Sequence, residues 1–407
     1  KRDGMGVIVQ KYGGSSLATT ERIRNVARRI IETKKKGNQV VAIVSAMGDS
    51  TDDLIALAKE ISDRPPKREM DMLLSTGEQV SISLLAMAIE SMGEDVISLT
   101  GQQAGIRTDD MYSKARIVNI VSTRLEQEIK DKSIVIVAGF QGINANDDIT
   151  TLGRGGSDTT AVAIAAAVKA KVCEIYTDVD GVYAGDPRII KGVKKLDVIS
   201  YDEMLELATL GAAVLHPRSV EVAKIHGVTI HVRSSFTDTT GTLVQEVGDM
   251  EKEIIVTGIA HDMDVVKMAI FGVPDEPGVA YLIFDELAKA HINVQMIVQS
   301  AEKKGVNDIA FTVPKSDKEE ALEIITRFKE KVGANAVIMK DGLARLSIVG
   351  AGMITNPTAA ARMFMVLSKA GINLEMISTS DIKVSVIIDA KRCVEAAEIV
   401  AKEFDLV

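Results

Sequence analysis

The chain contains no tryptophan, and all aromatic residues together make up 3% of it. Its cores must therefore be built from Val, Ile, Leu, Ala and 17 Met rather than from large rings. Cysteine is almost missing as well. Cys173 and Cys393 stand far apart and without metal-ligand spacing, which excludes a disulfide framework and a zinc site. The five histidines form no HxH or HxxxH pair, so no protein-held metal is expected. No basic tract occurs and the formal net charge is −9. Nucleic acid and anionic membranes need a concentrated positive surface, so neither is expected as a partner. No apolar run reaches the roughly 18 residues of a membrane span, and no charged-then-apolar leader precedes the first strand. These absences point to a cytoplasmic protein. Residues 1–4, ahead of Met5, carry no pattern that bears on fold or function.

What is present is ordinary globular material: 407 residues, 46% hydrophobic and 26% charged, enough for two or three domains. The most informative stretch is 152–168, where Leu152-Gly-Arg-Gly-Gly-Ser-Asp158 runs into an alanine-rich apolar segment of helical length. Glycines let the backbone approach a ligand, and a helix starting near Ser157 or Asp158 aims free N–H groups at the same spot. Arg154 adds a forked cation suited to carboxylate or phosphate. The plain alternative is a capped helix beside a solvated arginine.

Around this stretch, apolar runs alternate with helical periodicity. Residues 7–12, 40–44, 96–99, 134–138 and 172–176 read as strands apolar throughout, and 20–36, 52–62 and 68–92 as helices, the last interrupted at Ser75-Thr76-Gly77. That alternation implies an α/β domain with a mostly parallel sheet covered on both faces, and such sheets bind ligands at the carboxyl ends of their strands. The residues following the strands are Lys11 with Gly13, Gly14 and Ser15, then Ser45, then residues 139–142, then Thr177 and Asp178. A lysine beside a double glycine can hold a polyphosphate and neutralise a transferring phosphoryl group, or can be a solvated strand-end charge. Neither a P-loop nor a G-x-G-x-x-G fingerprint occurs. Asp178 to Tyr183 and Asp186-Pro-Arg188 offer turns, a ring and a cation for a nucleotide.

Taken together, Lys11-Tyr-Gly-Gly-Ser-Ser16, Gly139-Phe-Gln-Gly142, Thr151-Leu-Gly-Arg-Gly-Gly-Ser-Asp158 and Tyr176-Thr-Asp-Val-Asp-Gly-Val-Tyr183 resemble the signature segments of bacterial aspartate kinase, in that family's order. The resemblance implies a three-layer αβα amino-acid-kinase domain over residues 5–245. It also implies transfer of the ATP γ-phosphoryl group to the β-carboxylate of L-aspartate, giving 4-phospho-L-aspartate and ADP. That reaction opens the lysine, threonine and methionine pathway. By motif matching, Lys11 stabilises the transferring phosphoryl and Asp158 organises the catalytic centre. Arg154 takes the substrate α-carboxylate and Glu78 its ammonium, with Ser45, Thr51, Phe140 and Ser157 lining the pocket. Thr177, Asp178, Tyr183, Asp186 and Arg188, with Lys11, Gly13, Gly14 and Ser15, surround ATP, whose phosphates carry Mg2+. One departure stands out: some members carry an ATP-contacting lysine where this chain has Ala213, with Lys191 or Lys194 as conceivable substitutes. His216, before Pro217, reads as structural.

Beyond a turn-rich exit at 237–242 the pattern changes and repeats, as 290–296 (Ala-His-Ile-Asn-Val-Gln-Met) against 370–376 (Ala-Gly-Ile-Asn-Leu-Glu-Met) displays. Strands at 265–273, 294–300, 308–313 and 334–339 form a first βαββαβ copy; the second has strands at 344–350, 374–378 and 383–388 and lacks its last. The unassigned apolar segment 253–259 would complete it, which inserts the first copy (265–342) within the second (250–262 plus 343–407). These copies resemble paired ACT domains of ferredoxin-like α+β type. The resemblance implies allosteric lysine, threonine or both, and a homo-oligomer formed through these domains. A shorter regulatory subunit from the same gene, starting at Met250, is a further implication. Effector candidates are Asp275, Gly278, Ala280 and Gln299 in the first copy and Asn373, Ser380 and Asp381 in the second. Two other functions stay open: another amino-acid-kinase member with a different substrate, and a non-catalytic amino-acid sensor built on the same scaffold.

Overall fold

The structure, a computed structural model, describes residues 6–212, 214–248, 255–301 and 303–407. Ala213, Met250 and the first part of the 250–262 segment lie outside the described residues, as do residues 1–4. The chain forms two compact units: Lys1–Val182 with Lys195–Asp249, and Tyr183–Lys194 with Met250–Val407.

In the first unit β1 (Val7–Tyr12) is followed by α1 (Thr20–Lys35), β2 (Gln39–Val44), α2 (Ser50–Ile61) and α3 (Lys67–Ser91). Next come β3 (Ile97–Leu99), β4 (Ile106–Thr108), β5 (Ile117–Ile120), α4 (Thr123–Lys132), β6 (Ile134–Ala138), β7 (Gln141–Ile143) and β8 (Ile149–Thr151). The unit closes with α5 (Gly156–Ala167), β9 (Val172–Thr177), β10 (Val198–Ile199), α6 (Tyr201–Thr209), α7 (Pro217–His226), β11 (Ile230–Ser234) and β12 (Thr242–Val244). The main sheet has the order β10-β12-β11-β9-β1-β2-β6-β3 and is parallel except at β11–β12. Every residue of β6, and all but the first of β2, is buried, as expected of strands covered on both faces. α1 and α3 pack on one face, through a core that includes Tyr12, Ile30, Val44 and Leu85, and α5 packs on the other.

One expectation is corrected here. Residues 67–91 form one unbroken helix, not two pieces separated at Ser75-Thr76-Gly77. Ser75 and Thr76 turn their hydroxyls back onto the Met72 and Leu73 carbonyls, which keeps them within the helix. Gly77 is there because the helix runs against the loop after β2, where a Cβ would stand 2.8 Å from that of Ala46. Moreover α3, with 25 residues and a mean hydropathy of 1.4 over its most apolar window, is long and apolar enough to cross a bilayer by length and composition. It is a core helix nonetheless, for Asp71 and Glu78 lie on its buried side and α1 packs along it. A small sheet of order β5-β4-β7-β8 was not anticipated; its strands of three or four residues are too short to show periodicity.

The second unit contains β13 (Gly258–Pro274), α8 (Val279–Lys289), β14 (Ile297–Gln299), β15 (Val306–Val313), α9 (Lys318–Val332) and β16 (Ala336–Val349). α10 (Thr358–Lys369), β17 (Met376–Ser380), β18 (Lys383–Asp389) and α11 (Cys393–Glu403) follow. Its six strands form one antiparallel sheet of order β14-β15-β13-β16-β18-β17. The strands expected at 334–339 and 344–350 are a single strand, β16, and β13 likewise serves both repeats. Gly258 to Asp262 pair with Val349 to Arg345 of the second copy, while Val266 to Pro274 pair with β15 of the first. The first copy is thus inserted in the second, and register shifts between Asp262 and Lys267 mark the crossing. Residues 183–194 pack on this unit: the Ile259 N–H donates to the Ala184 carbonyl (2.7 Å) and the Lys194 N–H to that of Leu406 (2.8 Å).

Candidate active site

Parallel register brings the loops of the first unit together. Tyr12 lies opposite Val44 and Tyr176, Val44 opposite Ala138, and Thr177 opposite Ser234. The strands therefore end level, and Gly13, Ser45, Gly139 and Asp178 emerge side by side along one rim about 14 Å wide, three strand spacings.

Side chains alternate along β1, so Gln10 and Tyr12 face α1 while Lys11 faces α5. Lys11 Nζ sits 2.7 Å from Asp158 Oδ1 in the first turn of α5, with each side chain only about an eighth exposed. Beside them the Ser45 hydroxyl donates to Ser157 Oγ at 2.9 Å. Neither Ser157 nor Asp158 caps the helix, as the plain reading supposed. That position belongs to Gly155 at φ 69°, where a Cβ would stand 2.2 Å from His216 Cγ. His216 instead caps α7, its Nδ1 accepting the Arg218 N–H at 3.3 Å; this is the structural role expected of it.

Glu78 arrives from α3. One carboxylate oxygen, Oε1, accepts the Ala46 N–H at 3.1 Å; the other, Oε2, is buried with no partner among the described residues. Burial pushes its carboxyl up to about 8. Lys11, Glu78, Arg154 and Asp158 line one cleft of about 790 Å³, whose walls include Thr51 and Phe140. Arg154 is exposed at its lip. Phe140 holds a positive φ of 69°, with its N–H on Thr160 Oγ1 at 3.2 Å.

Thr177 and Asp178 end β9 on the same rim, joined by a 2.9 Å hydrogen bond from the Thr177 hydroxyl. Tyr183, Asp186 and Arg188 belong to the segment that packs with the second unit, where Arg188 pairs with Asp186 at 2.8 Å and holds its carboxyl below the usual range. Among the described residues no group of three His, Cys, Asp or Glu side chains is placed to hold a metal ion.

In the second unit, Asp275, Gly278, Ala280 and Gln299 gather where β13 ends and β15 begins. Asp275 accepts from Asn307 Nδ2 at 2.9 Å, and Gly278 precedes α8, whose first turn carries Ala280. Gln299 pairs with Ile309 at the same end. The second copy's candidates are not gathered in this way: Ser380 and Asp381 form the turn between β17 and β18, whereas Asn373 precedes the other end of β17.

Sequence reasoning missed Asp71 and Arg218. Asp71 is fully buried and accepts from the N–H and hydroxyl of both Ser113 and Thr151. Its one signal was a carboxylate within the apolar run Met70-Asp-Met-Leu-Leu74.

Residues 6–234 match the amino acid kinase family, and residues 269–327 and 346–404 each match the ACT domain. The aspartokinase of Bacillus sp. (strain MGA3) is 51% identical over 402 residues, covering 99% of this chain and 98% of that protein. The chain belongs to the aspartokinase family. Aspartokinase 2 of Bacillus subtilis (strain 168) is 50% identical over 403 residues, with 99% and 98% covered. Among solved structures, an aspartate kinase from Synechocystis is 44% identical with a TM-score of 0.55, covering 98% of this chain and 70% of that one. E. coli aspartokinase III in complex with aspartate and ADP, 22% identical, shares the fold at a TM-score of 0.81 over 98% and 99%. As an aspartokinase-family member the chain is a kinase, with an amino-acid-kinase domain followed by ACT domains.

Proposed function

We propose that this aspartokinase-family enzyme transfers the γ-phosphoryl group of ATP to the β-carboxylate of L-aspartate, forming 4-phospho-L-aspartate and ADP in the cytoplasm. The observation that carries the reading is the buried, unpartnered Oε2 of Glu78, in a cleft that also holds an arginine at its lip and the Lys11–Asp158 pair. A free amino acid brings an ammonium and a carboxylate. An acceptor already cut off from water gains from the first, and the fork of Arg154 suits the second.

The β-carboxylate is ionised at neutral pH, its free pKa being about 4, so attack on the γ-phosphorus needs no general base. The new bond joins a carboxylate oxygen to phosphorus; the bond to the β,γ-bridging oxygen breaks, and ADP leaves with that electron pair. Lys11 neutralises charge on the transferring group, and Asp158 holds the lysine's ammonium at the end of β1. The N–H groups at the start of α5 add a positive field, while Ser45, Thr51, Phe140 and Ser157 shape the pocket wall. Gly13, Gly14, Ser15, Thr177 and Asp178 border the phosphates from the rim. Tyr183, Asp186 and Arg188 are assigned to the nucleotide by their sequence pattern. Mg2+, carried on the phosphates, would supply further charge neutralisation; among the described residues no three His, Cys, Asp or Glu side chains gather to hold a metal ion.

The ACT half is read as the seat of feedback by lysine, threonine or both, with Asp275, whose carboxylate already orders Asn307, offering an anion to an effector ammonium. The exposed edge strand β14 suits pairing between subunits in a homo-oligomer. Domain limits of 5–245, 265–342 and 250–262 plus 343–407 remain part of this reading.

An acyl phosphate reacts with hydroxylamine, so the test is direct. Incubation with ATP, Mg2+, L-aspartate and hydroxylamine should yield aspartyl β-hydroxamate in step with ADP. ADP release with glutamate or N-acetylglutamate but not aspartate would move the enzyme elsewhere among amino acid kinases, and no release with any of them would support a sensor.

A further inference from the structure

The turn bearing Arg154 is gripped from two sides by groups of opposite charge. On one side Asp71, 0% exposed, takes the Thr151 N–H (2.9 Å) and hydroxyl (2.8 Å), and the Ser113 N–H (2.8 Å) and hydroxyl (3.2 Å). On the other, Arg218 donates to the carbonyls of Leu152 (2.7 Å) and Ala115 (2.9 Å). An anion collects the donors of segments 113–115 and 151–152, and a cation serves their acceptors. The two segments are themselves joined, the Ala115 N–H donating to the Thr151 carbonyl at 2.9 Å. Ser113, held by Asp71, has a left-handed φ of 67°, and its carbonyl lies so close to Gly153 that a Cβ there would stand 3.0 Å away. Bonds to Asp71 keep Ser113 in a conformation it would not choose freely.

Asp71 also shares a helix with Glu78. Seven residues separate them, two turns of α3 or about 10 Å along its axis, and both fall on the buried face. We infer that Asp71 is a positioning residue for the substrate: through Ser113 and Thr151 it fixes the turn that carries Arg154, so that one rigid helix sets the separation between the arginine and the ammonium-binding Glu78. The inference rests on the aspartate reading above. A free amino acid has its carboxylate and ammonium at fixed separation, and a helix is a stiffer ruler for that spacing than two loops.

The test compares wild type with Asp71→Asn, which keeps the volume but points an amide donor at donors. Aspartate KM should rise roughly tenfold or more, with ATP KM within about twofold. In an Arg154→Ala background the same change should add nothing further, because Asp71 acts through the turn. A purely structural residue would instead lower the amount of active enzyme and leave both KM values alone. Thr151→Val, which removes one donor without changing shape, serves if Asp71→Asn does not fold; it should raise aspartate KM about fivefold. An unchanged aspartate KM, equal effects on both substrates, or effects that multiply in the Arg154→Ala background would overturn the inference while leaving the aspartate reading intact. Wild type without aspartate-dependent ADP release would remove both.

Discussion

Glu78 sits 3% exposed with one oxygen satisfied by Ala46 and the other by nothing described. Its carboxyl titrates at about 8 because burial disfavours the ion, and two consequences follow. To meet a substrate ammonium as an anion it must lose a proton, so aspartate KM should fall as pH rises from about 6.5 to 8. Glu78→Gln should abolish that trend; a wild-type KM flat across the range would remove Glu78 from the site. For stability the sign is opposite. The folded state holds this proton more tightly than the unfolded chain does. The residue's contribution is therefore full below about pH 4.5 and is lost as pH climbs through 8. Glu78→Gln should then raise the melting temperature at pH 9 relative to wild type but not at pH 5, as calorimetry would measure. At this scale the sequence was partly legible. Arg154 lies in a glycine-rich turn, and Lys11 at the end of β1 and Asp158 in the first turn of α5 adjoin such segments, a pattern visible in composition alone. Asp71 and Glu78 are lone carboxylates inside an apolar helix, and only the structure separates the one with four donors from the one with an open oxygen.

Among elements, α3 and the turn before α5 matter most. Gly77 faces Ala46, the residue whose N–H holds Glu78. Alanine is a better helix former than glycine by about 1 kcal/mol, yet a Cβ 2.8 Å from that of Ala46 must push the loop away. Gly77→Ala is therefore expected to raise aspartate KM several-fold even though helical propensity improves; an unaltered KM with a higher melting temperature would show that the loop yields freely. Gly155→Ala combines a positive φ with a clash against His216 and should cost about 2 kcal/mol in urea denaturation, where an unshifted midpoint would contradict it. Strands such as β2 and β6, apolar throughout, were readable, and so was the ladder of loops that follows them. The break placed at Ser75-Thr76-Gly77 was wrong because hydroxyls can bond back within a helix, a competition that residue type alone does not decide. Strands of three residues such as β4 and β7 are too short to show a period, and β4 meets β7 across 36 residues of chain, Arg107 opposite Ile143.

For the whole molecule, repetition was the decisive sequence signal. The echo between 290–296 and 370–376, with one strand missing, led to the inserted arrangement that β13 and β16 display. What repetition could not convey is that neighbouring strands fuse, so that each long strand serves both copies. Asp275 gathers with Gly278 and Gln299 at one end of that sheet. Asp275→Ala should leave basal turnover unchanged and shift inhibition by lysine or threonine to at least tenfold higher concentration, as removal of a charged hydrogen bond implies. Inhibition curves that superimpose would relocate the effector. The account as a whole depends on one cleft receiving a zwitterion and the end of ATP together. A crystal structure of the protein with L-aspartate and a nonhydrolysable ATP analogue tests this most directly. The account predicts aspartate between Arg154 and Glu78 with the terminal phosphate against Lys11; either ligand bound away from those three side chains would contradict it.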